Sequence, residues 1–199
     1  MKKIILIGHH KGSGKDTFAK MLSERIDKKT YITTFAEYMR RFAVDYFGLA
    51  DVSELEEWKR ENDDEYRRLM TALGRFMRDN LPGQLIGLTM RDIDNSDADV
   101  VLIPDLRLHR EYRDMVERYG KENIITVFIN RDNIVKGKDI TDTENDTFMY
   151  DYTVDNNGTL EDLAKKVDGF IEVIGLPVIK GTLQRYNWIR DMSDDLGAV

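Results

Sequence analysis

Short runs of consecutive apolar residues alternate along the chain with longer stretches whose apolar positions recur every three or four residues. The first pattern fits strands buried on both faces, and the second fits amphipathic helices that cover them. The runs predict strands near 4–7, 31–35, 100–103, 124–129 and 152–154, in the mainly parallel, five-stranded sheet of an α/β protein. A first helix starts at a glycine-rich turn and sets Phe18, Met21, Leu22 and Ile26 on one face. Tyr66, Leu69, Met70, Leu73, Phe76 and Met77 form the cleanest helical stripe. A further helix turns Tyr112, Met115, Val116 and Tyr119 inward. The last long helix follows Asn157-Gly158, with Thr159 and Asp162 as a capping pair. It is expected to bury Leu160, Leu163, Ala164, Val167, Phe170, Ile171 and Ile174.

The stretch between the second and third strands is far longer than a crossover needs. It reads mostly as helix, with Ser53 and Glu56 as a capping box and a densely charged run at 54–68. Residues 37–95 are therefore expected to form a helical insertion at the sheet edge, a natural place for substrate binding. A second polar excursion, 130–150, is expected to act as a lid. The remainder, 176–199, is a tail in which Leu183, Tyr186, Ile189 and Met192 form an apolar edge. That edge packs on the body or on a second copy of the chain in a homodimer. One domain with two excursions is the expected organisation.

Composition narrows the picture. At 199 residues the chain suits one α/β domain, and 41% hydrophobic with 34% charged residues is the balance of a soluble globular protein. A formal net charge of -7 argues against a binder of polymeric nucleic acid. With no cysteine, disulfides and thiolate zinc sites are excluded. The histidines His9, His10 and His109 do not suggest a metal cage. The opening apolar run is too short for a signal peptide, and no stretch approaches the roughly 20 apolar residues of a membrane span. A cytoplasmic location and no membrane partner are expected.

The chemistry concentrates at the first strand. Ile7-Gly8-His9-His10-Lys11-Gly12-Ser13-Gly14-Lys15-Asp16-Thr17 joins that strand to an amphipathic helix. Strand, glycine turn and helix N-terminus aim backbone N–H groups at one concavity, a phosphate-binding arrangement. Lys11, Gly12, Ser13, Gly14, Lys15, Asp16 and Thr17 are the expected nucleotide contacts, with Lys15 reaching the β- and γ-phosphates. Two features depart from GxxxxGK(S/T). Gly8 to Gly14 encloses one residue too many, so either the loop is longer or His9 replaces the first glycine. Asp16 stands where a hydroxyl is usual, with Thr17 next. Asp16 and Thr17 are the candidate Mg2+ ligands, and Asp16 is alternatively an orienter of the acceptor oxygen. His9 and His10 are read as loop residues lining the nucleotide, with no chemistry assigned.

Ligands of open α/β sheets sit beyond the carboxyl ends of the strands. Asp105 and Arg107 fall there after the third strand, and Arg131 after the fourth. Asp105 suits the magnesium shell or a base toward the acceptor. Arg107 and Arg131 suit clamping phosphate oxygens during transfer. The competing reading is an Asp105–Arg107 rim ion pair and a solvated Arg131. Arg40, Arg41, Arg67, Arg68 and Arg78 are further guanidinium forks, of which only some are expected to bind phosphate.

Four segments in order, Ser13-Gly14-Lys15-Asp16-Thr17, Arg67-Arg68-Leu69-Met70-Thr71-Ala72-Leu73-Gly74, Ile103-Pro104-Asp105-Leu106-Arg107 and Asp155-Asn156-Asn157-Gly158-Thr159-Leu160, resemble the phage deoxynucleoside monophosphate kinases. These belong to the P-loop nucleoside monophosphate kinase group, and metazoan phosphomevalonate kinase is a more distant likeness. The resemblance spans about residues 1–175 and implies the three-layer P-loop kinase fold. It also implies transfer of the ATP γ-phosphate, with Mg2+, to a deoxynucleoside monophosphate. It carries over Lys15, Asp16, Thr17, Arg68, Asp105, Arg107 and Arg131, with Arg40 where the family has a lysine. Thr141 stands where the family often has histidine, Glu144 is kept, and Gly83-Gln84-Leu85 stands where a tryptophan is common. Arg40, Arg68, Asp105 and Arg107 are thus the expected acceptor contacts. The alternatives are a P-loop kinase for another small phosphorylated metabolite and a non-catalytic nucleotide-binding module.

Overall fold

The computed structural model describes residues 2–132, 134 and 140–179, with side chains left undescribed at 140–142. The apolar tail edge at Leu183, Tyr186, Ile189 and Met192, the first part of the expected lid, and the side chain of Thr141 lie outside the described residues. Those described form two compact units, 33–96 and the rest of the chain.

The larger unit is built on a five-stranded sheet whose pairings are all parallel. Its strands are β1 (Lys3–His9), β2 (Thr30–Ile32), β3 (Val100–Leu106), β4 (Ile124–Asn130) and β5 (Tyr152–Asp155), in the order β2-β3-β1-β4-β5. From β1 the chain runs outward to β2 on one side, and from β3 it crosses to β4 on the other. Right-handed crossovers in opposite directions place their helices on opposite faces of the sheet. Accordingly α1 (Lys15–Arg25) shares one face with the last helix, which is labelled below. The core there joins Ile5, Ile7, Leu102, Val127 and Ile129 to Phe18, Leu22, Val167 and Phe170. The other face carries the helix His109–Tyr119. This reversal makes β1 the switch point at which an α/β sheet opens a crevice for ligand.

Strand limits differ from the sequence reading for physical reasons. β2 ends at Ile32 instead of 35, paired with β3 only as far as Leu102. β3 runs on to Leu106 through Pro104, which has no N–H to give. The proline is tolerated because that part of β3 lies past the end of β2, and the register with β1 shifts between Leu6 and Gly8.

The smaller unit holds α2 (Glu37–Phe47), α3 (Val52–Glu61), α4 (Asp63–Asn80) and α5 (Gln84–Asn95). Ala43, Val44, Leu55 and Tyr66 form its core, with Phe47 stacked on Trp58 at 4.0 Å. The expected Ser53/Glu56 capping box is absent. Asp51 caps α3 by accepting from the N–H groups of Ser53 and Glu54, and Glu56 pairs with Arg40 instead. Phe76, expected in the buried stripe of α4, is 56% exposed, and Gly74 is buried in its place.

In the larger unit, α6 (His109–Tyr119) follows β3, α7 (Ile140–Asp146) precedes β5, and α8 (Leu160–Val173) closes the fold. Thr159 and Asp162 form the expected capping box of α8. Leu160 precedes the first buried turn and is 66% exposed, contrary to expectation. Among the described residues, no helix is long and apolar enough to cross a membrane.

Candidate phosphate-binding site

The loop begins later than the sequence suggested. β1 extends through Gly8 and His9, which pair with Phe128 and Ile129 of β4. Gly8 is a strand residue with the Tyr150 ring laid against it: a Cβ there would meet Oη, Cζ and Cε1 of that ring, all nearer than 3.0 Å. Counted from His9, residues 10–13 are the four intervening positions of the motif, and Gly14-Lys15 follow. His9 therefore stands in the first glycine's place, which decides between the two readings of the loop.

The turn closes with Ser13 N–H donating to the His10 carbonyl at 3.1 Å. Gly12 and Gly14 adopt positive φ, 83° and 91°, where a side chain would be strained. Gly14 is the N-cap of α1, and among the described residues no side chain caps that end. The first amides of α1 therefore have no side-chain cap among the described residues, as at helix starts that can bind anions. Asn156, at the carboxyl end of β5, fixes the outer wall. Its Nδ2 donates to the Ser13 carbonyl at 2.7 Å and fills the space a Cβ on Gly14 would need. Its own N–H donates to the Asn130 carbonyl.

Lys15 Nζ donates to Asp16 Oδ1 at 2.6 Å, and the Asp16 side chain is 76% exposed. An exposed pair of this kind is weak, so the ammonium is easily redirected to a phosphate. Strands on both sides of β1 deliver a guanidinium to the loop. Arg131, just past β4, donates from Nη1 to the Gly12 carbonyl at 3.4 Å. Arg107, just past β3, bears electrostatically on His9 together with Lys15. The structure thus gathers Lys11, Gly12, Ser13, Gly14, Lys15, Asp16, Thr17, Arg107 and Arg131 about one strand end. Asp105 is on β3 in the same region, close enough to Glu111 to shift its titration. Arg40 and Arg68 belong to the helical unit. Arg40 is half-buried and ion-paired with Glu56. Arg68 lines an open hollow on α4 with Arg67, Thr71 and Arg75.

Beneath the loop lies a polar floor that the sequence reading missed. His10 Nε2 meets Asp146 Oδ1 at 2.9 Å, and its ring stands edge-on to Phe128. Asn145 Nδ2 donates to the His9 carbonyl at 3.0 Å, while its Oδ1 accepts from the Tyr150 hydroxyl. Glu144 accepts from His109 N–H at 3.0 Å, and Phe148 stacks on His109. These contacts make residues 144–150 part of the wall under the loop. His9 and His10 are buried, 3% and 6% exposed, at the root of the loop.

Electrostatics follow from this burial. Desolvation, with Arg107 and Lys15 nearby, holds the His9 imidazole well below its ordinary value, so the ring is neutral. Burial and the Asp105 carboxylate push Glu111 up to about 8, against the pull of two N–H donors, Arg107 and Leu108, on its Oε2. Burial likewise raises the Tyr150 phenol, with Glu111 and Asp146 adding to it.

No family model matches the chain, and no curated protein sequence does. In fold it is similar to an APS kinase of Mycobacterium tuberculosis (14% identity, TM-score 0.41, 86% of this chain and 97% of that one). It is also similar to a shikimate kinase of Aquifex aeolicus (14%, TM-score 0.43, 86% and 96%). A gluconokinase of Sinorhizobium meliloti gives 14%, TM-score 0.38, 83% and 89%. At these scores the likeness says nothing of substrate, and the α/β fold class rests on the parallel strand order and the strand–loop–helix at its centre.

Proposed function

We propose that this chain is a phosphotransferase that moves the γ-phosphate of ATP to a small phosphate-bearing acceptor, a deoxynucleoside monophosphate. The observation that carries this reading is convergence: the glycine loop of β1–α1 receives Lys15 from α1, Arg107 from beyond β3 and Arg131 from beyond β4. A phosphate held by the loop amides would meet cations from three directions, as negative charge redistributes between donor and acceptor oxygens. The acceptor class is drawn from the resemblance of residues 67–74 and 155–160 to the phage kinases.

Lys15 would leave Asp16 for the β- and γ-phosphates, and Arg107 and Arg131 would neutralise the transferring group. Asp16 and Thr17 fit Mg2+, which keeps most of its waters and needs only one or two protein oxygens beside substrate phosphates. When bound, Mg2+ supplies charge neutralisation at the phosphate oxygens. The exposure of the Asp16 carboxylate leaves it accessible to such an ion. Among the described residues no cluster of three His, Cys, Asp or Glu side chains is poised to hold a metal, so the phosphates would complete the ligand set.

A second reading keeps the transfer and changes the acceptor. Arg40, expected on the acceptor phosphate, is engaged by Glu56, and the remaining phosphate-clamping arginines suit a different small phosphorylated metabolite equally well. One experiment addresses both: ADP release from Mg-ATP with each deoxynucleoside monophosphate, its ribonucleotide counterpart and a set of phosphorylated non-nucleotides. Stimulation by a deoxynucleotide supports the proposal, and stimulation only by a non-nucleotide selects the second reading. Acceptor-independent hydrolysis, or none, would leave a nucleotide-binding module.

A further inference from the structure

Seven buried side-chain polar atoms lack a hydrogen-bond partner among the described residues. Two of them, Arg25 Nε and Asp168 Oδ1, face each other at 2.9 Å as an ion pair, and one is Thr34 Oγ1 in the helical unit. The other four are His9 Nδ1, His9 Nε2, His10 Nδ1 and Ser13 Oγ. All fall within five consecutive residues of the phosphate loop. Buried polar groups are nearly always satisfied, so four such atoms within five residues are groups able to take a polar ligand.

The placement and electrostatic surroundings of these atoms follow from the strand. β1 alternates, and His9 continues the Ile5–Ile7 side, the face that α1 covers. The ring therefore sits at the root of the loop that leads into α1. The two side-chain charges bearing most on it are Lys15 and Arg107, both positive. A neutral imidazole can donate one N–H, which the nearby His10 backbone does not meet with hydrogen-bond geometry, and the Ser13 hydroxyl another. Two donors beside two cations, Lys15 and Arg107, form a set suited to phosphate oxygens. Glycine, usual at the position His9 occupies, offers no such donor.

We infer that His9 donates a hydrogen bond to the terminal phosphate of a loop-bound nucleoside triphosphate, with Ser13 as a second donor. This rests on the reading of the loop as a triphosphate site and adds a side-chain contact that senses the last phosphate. Lys15 and Arg107 would draw that phosphate toward the ring, and the Asn145 contact to the His9 carbonyl holds the backbone in place.

The test uses calorimetry of the full chain with a non-hydrolysable ATP analogue and with ADP, each with Mg2+. His9→Gly restores the usual motif residue, and His9→Gln keeps an N–H donor. His9→Gly should lose roughly 10- to 100-fold in affinity for the analogue, the range of one hydrogen bond to a charged group. ADP affinity should stay within about threefold, and His9→Gln should recover most of the loss. In the parent protein, the imidazole nitrogen resonances of His9 should move on adding the analogue and not on adding ADP. That measurement stands even if His9→Gly fails to fold. Unchanged analogue affinity in folded His9→Gly, or resonances that ignore the analogue or respond equally to ADP, overturns the inference while leaving the loop assignment standing. A parent protein that binds neither nucleotide removes the proposed function and this contact with it.

Discussion

Replacing Gly8 by alanine probes the finding that this glycine serves packing instead of phosphate binding. The added methyl would lie nearer than 3.0 Å to three atoms of the Tyr150 ring. Neither partner can step aside easily: Gly8 is paired on both sides in the sheet, and the ring is held against Phe128 and Phe148 with its hydroxyl on Asn145. Overpacking of a filled core costs about 1–3 kcal/mol, and a rigid ring against a rigid strand belongs at the upper end. A loss near 3 kcal/mol lowers the folded-to-unfolded ratio by roughly two orders of magnitude, with a fall of about 6–12 °C in Tm for a chain of this size. The decisive measurement is a double-mutant cycle by urea denaturation with Gly8→Ala, Tyr150→Ala and the pair. If the ring is the obstacle, Gly8→Ala should cost less than about 1 kcal/mol once Tyr150 is alanine, giving a coupling of about 2 kcal/mol. Additive losses would refute the packing argument. A folded Gly8→Ala protein that loses triphosphate binding but not stability would return Gly8 to the loop.

Three further outcomes are expected. Lys15→Ala should lower acceptor-dependent ADP formation by at least about 100-fold, the scale of losing one charge-stabilising donor, with Tm nearly unchanged because its pair with Asp16 is exposed; a rate within a few-fold of the parent would remove the loop from catalysis. Asn156→Ala should cost about 1–3 kcal/mol, read by urea denaturation, by orphaning the Ser13 carbonyl, and should also weaken nucleotide binding; unchanged stability would mean the loop wall does not depend on it. Glu111 titrates at about 8 when folded, against 4.5 for the free side chain, so between those limits the folded state holds a proton that the unfolded state has released. Its stabilising contribution is full below the lower value and is lost as pH rises through the upper one. Relative to Glu111→Gln, the parent should lose roughly 1 kcal/mol of stability per pH unit across that window; parallel stability curves would refute the burial argument.

Legibility followed locality. The strand, loop and first helix are contiguous, so residues 4–26 announced them, as Thr159 and Asp162 announced the start of α8. Failures arose where two local options were nearly equal. Ser53/Glu56 and Asp51 are both acceptable caps, and the Arg40 ion pair decided where Glu56 went. Phe76 and Leu160 fit apolar stripes, but a helix buries only the side that meets a neighbour. Asn145, Asp146 and Tyr150 carry no sequence signal toward the loop, because the residues they support lie more than a hundred positions earlier.

The sequence by itself determined that a strand enters a glycine turn with a lysine at a helix start, because that arrangement needs only neighbours along the chain. Tertiary structure alone decided the count of the loop. Pairing of His9 with β4 and the ring of Tyr150 against Gly8 moved the motif's start by one residue. It also decided which polar atoms were stranded there, since burial is a property of what surrounds a side chain in space.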